Sequence, residues 1–243
     1  MPERSFEEMK AAQAVLESRI VAACNKCGRA RERVLLIWVS KFHPMESVEK
    51  ALSLGAVDFG ENRVQEAVLK FSVKRPGVRC HIIGPVQSNK LRPAATVADA
   101  IHSIDDLKSV GKLERICSEF GKHLDILFEV NTSEEASKSG VSMEDAESFL
   151  LSLPETEFVR YRGLMTIGKN TGVAEDSRKG FAFLRNLRDK MKARGGAFSD
   201  FSELSMGMTG DLEVAIEEGA TMIRVGTALF GERDYSRPVN DPV

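Results

Sequence analysis

Short apolar runs alternate with amphipathic helical stretches along almost the whole chain, and this rhythm constrains the fold more than any single motif. The apolar runs cover residues 34–40, 56–59, 79–83, 100–104, 125–130, part of 159–167, 203–206 and 221–225. Each is short and bounded by turn-forming residues, which predicts a strand. Helical spacing fills the gaps at 44–54, 64–71, from about Gln87, 105–120, 143–151, 174–193, 211–218 and from Thr227. Strict alternation implies a parallel sheet, because parallel neighbours require helical crossovers. Eight such units in 243 residues fit a closed (β/α)8 TIM barrel better than an open doubly wound sheet. One extra N-terminal helix precedes them, with Phe6, Met9, Ala12, Leu16, Ile20 and Ala23 on one face before Gly28. No Pro/Gly/Ser-rich linker divides the chain, so residues 1–243 are expected to form a single domain.

Composition narrows the function classes. Lys+Arg 34 against Asp+Glu 36 leaves a net charge of −2, which argues against bulk binding to nucleic acid or an anionic membrane. No uncharged apolar run approaches the roughly 18 residues of a membrane span. The opening residues Met1 to Glu8 are charged and lack the apolar centre of a secretory signal. A cytoplasmic protein is the expectation. Of the four cysteines, Cys24 and Cys27 have the spacing of half a zinc site, but no second close pair completes it. They fall near the end of the first helix, where a redox pair is unusual, so reduced structural thiols are expected.

The barrel reading gives Lys41 its meaning. It ends the run Val34 to Lys41, the most apolar stretch of the chain, and active sites of these barrels lie at the C-terminal ends of the strands. Burial there disfavours the ammonium form, and a neutral amine is what a Schiff base with an aldehyde requires. Phosphate often binds after the seventh and eighth strands. Those loops are Ser205-Met206-Gly207-Met208-Thr209-Gly210-Asp211 and Gly226-Thr227-Ala228. Both combine glycine with hydroxyls and lead into helix N-termini, which suits an anion. A phosphate cup and an end-of-strand lysine point to a phosphorylated aldehyde. Pyridoxal 5′-phosphate (PLP) and an aldolase substrate both qualify.

Other strand ends add polar groups. Asn62 follows the second strand and is placed to orient a ring or the Schiff base. Lys138 lies in the loop Ser137-Lys138-Ser139-Gly140 as an exposed cation. Arg224 lies within the last strand, where an inward guanidinium needs a partner. Beside a pyridine nitrogen it would keep that nitrogen unprotonated and weaken the ring as an electron sink. His81 and His102 sit on or beside strands. No serine-histidine-acid spacing can be assigned to them, and they are read as core residues.

Taken in order, several motifs resemble those of the PLP homeostasis protein family (YggS/PROSC type). They are Val39-Ser40-Lys41, Phe59-Gly60-Glu61-Asn62, His81-Ile82-Ile83-Gly84 with Gln87-Ser88-Asn89-Lys90, and Ser137-Lys138-Ser139-Gly140. Arg162-Gly163-Leu164-Met165, Leu204 to Asp211 and Ile223 to Thr227 continue the series, which spans about residues 10 to 235. The resemblance implies a fold-type-III barrel like the N-terminal domain of alanine racemase, with PLP as a Schiff base on Lys41. It further implies that Ser205 and Thr227, with backbone at Gly207 and Gly226, hold the phosphate. Asn62 would lie near the cofactor and Arg224 would face the pyridine nitrogen. The chain carries Arg63 where many members have tyrosine, and Val86 where leucine is usual, so the rim near the second and third strands differs.

The family implies a carrier or regulator of vitamin B6 pools without established catalysis, exchanging PLP and other B6 vitamers with PLP-dependent apo-enzymes. The competing reading is a PLP-dependent amino-acid racemase, which needs an acid or base on each face of the substrate. In alanine racemase the second base is a tyrosine associated with an added β-domain. The chain ends soon after the last strand, and Tyr161 and Tyr235 are badly placed for that role. The carrier reading and a monomer are therefore expected.

Overall fold

The computed structural model describes residues 4–133 and 139–232. Lys138 and Tyr235 lie outside the described residues. The strands are β1 Leu35–Val39, β2 Asp58–Glu61, β3 Arg79–Ile82, β4 Ala100–Ile104, β5 Leu124–Asn131, β6 Val141–Ser142, β7 Val159–Met165, β8 Glu203–Ser205 and β9 Met222–Val225. Their order is β4-β3-β2-β1-β9-β8-β7-β5-β6, and β4 also pairs with β5, which closes the sheet. Every pairing is parallel. The two-residue β6 hangs on the end of β5 through Val130 and Asn131, outside the ring of eight. The expected TIM barrel is therefore present, and β6 is an addition the sequence did not announce.

The helices are α1 Phe6–Lys26, α2 Met45–Ser53, α3 Val64–Phe71, α4 Leu91–Val97, α5 Leu107–Phe120, α6 Ala146–Leu151, α7 Arg178–Arg194, α8 Leu212–Glu217 and α9 Thr227–Phe230. Ser5 starts α1 with a capping box, accepting from the Glu8 amide while Glu8 accepts from the Ser5 amide at 2.7 Å. Asp106 caps α5 by accepting from the Ser109 amide. The polar helix expected near Gln87 opens as a 3-10 turn at Ser88–Lys90 before α4. Pro93 lies in the first turn of α4, where a missing N–H costs no helical bond. Among the described residues, no helix is long and apolar enough to cross a membrane.

Strand alternation divides the side chains into two shells. Trp38, Phe59, Ile82, Ile101, Phe128, Leu164, Leu204 and Ile223 join the apolar layer between strands and helices. The alternate positions face inward. A Cβ at Gly60 would meet Ile37 at 3.0 Å, Ile83 at 3.1 Å and Val39 at 3.5 Å, which marks these residues as barrel lining. Beside them the lining is polar: Asp58, His81, His102, Ser205 and Arg224 are all buried. The Cys24–Cys27 pair sits at the end of α1, where Cys27 donates its thiol to the Ala23 carbonyl. Burial pushes the Cys24 thiol up, away from the thiolate that redox chemistry needs.

Candidate functional site

Lys41 follows β1 directly, in a tight turn where the His43 amide donates to the Ser40 carbonyl. The β1 alternation that turns Ile37 and Val39 inward reaches Lys41, while Ser40 points outward. Lys41 is half-buried. Its turn is held from α3. The Ser40 hydroxyl donates to Glu61 at 2.6 Å, and Lys70 donates to Glu61 at 2.8 Å, to the Ser40 carbonyl at 2.8 Å and to Glu66 at 3.2 Å. Glu66 also accepts the Phe42 amide at 2.8 Å. Phe42 has φ 64°, an uncommon left-handed conformation for a side chain of this size, so the turn carries local strain. The Arg63 guanidinium covers the Phe42 ring at 4.9 Å. On the other side His43 stacks on Phe230 with centroids 5.0 Å apart.

The residues that fix this turn were not singled out from sequence. Glu66 and Lys70 have the i,i+4 spacing of a solvated helix pair. Their burial arises because Glu61 faces out of the barrel under α3. Burial pushes the Glu61 carboxyl up to about 7, with Lys70 acting against it.

Asn62 leaves β2 at the same end of the barrel and is half-buried. Gly84 lets it sit there, because a Cβ at Gly84 would lie 2.6 Å from the Asn62 carbonyl oxygen. Asn62 and Arg63 line one rim cavity with Gln65, Pro85, Gln87 and Lys90. Arg63 belongs to this rim, and Val86, between Pro85 and Gln87, packs against the apolar core.

The two glycine loops follow β8 and β9, which pair side by side. Gly207 has φ +94°, and a Cβ there would come within 2.5 Å of the Ala215 Cβ. Its carbonyl accepts from the Arg224 amide at 2.9 Å, and the Met208 amide donates to Asp211 at 2.7 Å. Gly226 precedes α9, whose first amides have no intrahelical acceptor, and the Thr227 side chain is exposed beside them. The N-terminal segment braces both loops: Arg19 of α1 donates to the Thr209 carbonyl at 2.9 Å and Arg4, ahead of α1, to the Ala228 carbonyl at 2.6 Å.

Arg224 lies inside the barrel on β9, in register with Ile37 of β1. It donates to the Ser205 carbonyl at 2.6 Å, the Ser205 hydroxyl at 2.8 Å and the Thr166 carbonyl at 2.8 Å. Burial pushes it down to about 10, and Asp211 and Glu129 oppose that shift, so it remains a cation at neutral pH. Ser205 ends β8 with its side chain in the barrel. Its hydroxyl is fully buried and engaged by Arg224 and by His102 at 2.9 Å. The side chain serves the guanidinium, because inward alternation on β8 turns it into the barrel. Glu129 on β5 is buried on the same side. Burial, then Asp105, pushes its carboxyl up to about 7 against Arg224.

Residues 18–234 match the family described as alanine racemase, N-terminal domain. A pyridoxal phosphate homeostasis protein of Vibrio alginolyticus is 44% identical over 87% of this chain and 92% of its own length. The chain belongs to the pyridoxal phosphate homeostasis protein family. Among solved structures, PipY of Synechococcus elongatus PCC7942 with PLP bound is 34% identical, with a TM-score of 0.76 over 88% of this chain and 99% of that one. An alanine racemase of Clostridium difficile 630 shares the fold at a TM-score of 0.69 and 14% identity, over 97% of this chain and 57% of that one. Within the pyridoxal phosphate homeostasis fold, Lys41, Asn62, Gly207, Arg224, Gly226 and Thr227 come from four strand ends and gather at one mouth of the barrel.

Proposed function

We propose that the chain binds PLP at this mouth, with Lys41 as covalent anchor, and acts as a carrier or regulator in PLP homeostasis. The observation that carries the reading is the convergence at one barrel end of a half-buried lysine, a buried guanidinium and two glycine loops. When bound, the cofactor supplies an aldehyde carbon that an amine can hold and a ring able to withdraw electrons. The residues present fit such a group. The open backbone at Gly207, together with the Gly226 and Thr227 amides and the Thr227 hydroxyl, offers donors to a phosphate. Asn62 would orient the ring from the rim. Arg224, held as a donor by Ser205 and Thr166, would face the ring nitrogen and keep it unprotonated, which would weaken the electron sink. Ser205 contributes through Arg224.

The racemase alternative requires a second acid or base at the mouth. Tyr161 does not supply it: its hydroxyl donates to the Pro154 carbonyl at 2.7 Å, and its ring packs on Phe128 in the layer behind the strands. The reading extends to a cytoplasmic monomer that passes PLP and other B6 vitamers to apo-enzymes.

Borohydride treatment of the purified, coloured protein followed by peptide mass analysis is expected to find the reduced cofactor on Lys41, and Lys41→Ala is expected to be colourless. A label on another lysine sinks the assignment. Holo-protein mixed with a PLP-dependent apo-enzyme should restore its activity. Catalytic exchange of an amino acid's α-hydrogen in deuterated water would instead favour the racemase.

A further inference from the structure

A line of buried polar side chains runs through the barrel from its N-terminal mouth to Arg224. His81 Nε2 lies 2.8 Å from Asp58 Oδ1, His81 Nδ1 lies 3.0 Å from His102 Nε2, and His102 Nδ1 lies 2.9 Å from the Ser205 hydroxyl. Arg224 closes the line on that hydroxyl at 2.8 Å. All five side chains are buried. The β2–β3 register pairs Gly60 with His81, and the β3–β4 register pairs His81 with Ala100, so each of the first two steps is a diagonal between neighbouring strands. The third step crosses the barrel from β4 to β8.

With both imidazoles neutral, an acceptor at the Asp58 end sets the direction of every bond in the line, and the donor at Arg224 is compatible with it. Arg224 has donors only, and an ionised Asp58 has acceptors only. Burial works against ionisation of Asp58, but the hydrogen bonds from His81 and Arg79 prevail and hold its carboxyl below the usual range. Arg224 therefore donates to Ser205 Oγ, Ser205 donates to His102 Nδ1, His102 Nε2–H donates to His81 Nδ1, and His81 Nε2–H donates to Asp58. Both imidazoles are neutral in this order. Burial, with His81 and Arg224 adding to it, pushes the His102 imidazolium well down, which agrees.

Resting on the cofactor reading above, we infer that Asp58, His81, His102 and Ser205 are positioning residues that form a proton relay leading away from the ring-nitrogen end of the site. A proton delivered to Ser205 Oγ by a donor in the site, a bound ring's N–H or a water, would release the hydroxyl's own proton to His102 Nδ1. His102 passes its Nε2 proton to His81 Nδ1. One proton has entered, and one positive charge rests on His81 against the Asp58 carboxylate. Arg79 shares Asp58 from the same mouth at 2.7 Å. The acids Asp99, Asp125 and Glu203 face that mouth as well, opposed by Arg160, Arg162 and His123. The relay and Arg224 work in one direction, since both keep the ring nitrogen free of its proton.

The test uses the full chain labelled with 15N-histidine, with and without PLP. In the cofactor-free protein at neutral pH, His81 and His102 are both expected as neutral Nε2–H tautomers. In the PLP-loaded protein, Asp58→Asn and His102→Asn are expected to keep the cofactor absorbance band and to move its pH midpoint by about one unit or more. Asn at 102 still offers an amide to Ser205 but cannot pass a proton to His81, so a purely structural role predicts wild-type behaviour for it. A His102 found as a cation or as the Nδ1–H tautomer overturns the relay, and so does a wild-type midpoint in His102→Asn. A wild-type protein with no cofactor band overturns the PLP reading and the relay's role with it, whereas wrong tautomers in a protein that shows the band overturn the relay alone.

Discussion

Replacing Lys70 with methionine tests how the Lys41 turn is held. The Lys70 side chain is only 4% exposed and is shared by Glu61, Glu66 and the Ser40 carbonyl. Methionine fills a similar volume but leaves two buried carboxyls without their cation. Removing one partner of a buried pair costs about 3–5 kcal/mol when the other stays charged. The Glu61 carboxyl, at about 7 in the folded chain against an ordinary 4.5, binds its proton more tightly when folded. Its contribution is fully present below pH 4.5 and is lost as pH rises through about 7, a swing of about 3 kcal/mol. Without Lys70 the carboxyl is pushed higher still, so the added loss falls at alkaline pH. Lys70→Met should therefore lose about 3–5 kcal/mol at pH 8. At pH 5, where the Glu61 carboxyl is protonated, the loss should be smaller, leaving the bonds of Lys70 to Glu66 and the Ser40 carbonyl. Urea midpoints followed by far-ultraviolet circular dichroism at the two pH values measure both. An equal loss at pH 5 and pH 8 would refute the charge argument, because it would mean that the carboxyls are not the groups left stranded.

Glu129→Gln should match wild type at pH 5 and exceed it by about 2 kcal/mol at pH 8, because burial makes ionisation of this carboxyl unfavourable; the same urea measurement checks it. Gly207→Ala should cost about 1–3 kcal/mol and weaken PLP retention, through its positive φ and the approach to Ala215, as read by melting temperature and by cofactor absorbance after gel filtration. Gly111→Ala, inside α5 with open space around it, should go the other way and stabilise by roughly 0.5–1 kcal/mol in the same melts. Arg63→Ala should cost only about 0.5–1 kcal/mol, through loss of its contact over Phe42, and hydrogen exchange at Lys41 and Phe42 should rise with little change elsewhere.

The barrel was legible because its signal is local and repeated: each strand needs a few residues and each helix a face. Lys41 was legible for the same reason, since the end of an apolar run is visible without any partner. Arg224 could be placed because it interrupts such a run with a charge. What stayed hidden depends on register. Nothing in the spacing of Asp58, His81 and His102 says that parallel pairing sets them on diagonals, and nothing near Ser205 says that it reaches across the barrel to His102. The bonds of Ser205 to Arg224 and His102 were hidden at this point, because a hydroxyl at the head of a glycine loop looks the same whether it faces the loop or the barrel. The Glu66–Lys70 pair was hidden by the reverse effect. On a helix an i,i+4 pair reads as solvated, and only the outward-facing Glu61 beneath α3 makes it buried. A strand motif of Asp-x-Gly, Arg-x-His and Ala-x-His on three successive strands was the available signal, and it needs the register before it can be read.

The polar lining has a cost that the rest of the fold must offset. Barrels of this type fill their centre with apolar layers, but here the centre holds Asp58, His81, His102, Ser205 and Arg224. Each polar atom removed from water and left unpaired would cost about 1–3 kcal/mol. The line of hydrogen bonds avoids that by giving each member a partner, and with neutral imidazoles its single direction follows from the anion at the Asp58 end. Folding is driven mainly from the other shell, where Trp38, Phe59, Phe128, Leu164 and their neighbours pack against the helices. The two shells are therefore separable. Shaving the outer shell, as in Phe128→Ala, should cost about 3–5 kcal/mol without touching the proton order inside. Asp58→Asn should change the imidazole tautomers, and its cost in stability should come from Arg79 and His81 losing the carboxylate, not from the outer packing. A barrel whose inside and outside failed together under both substitutions would show that the inner line is packing and not a device.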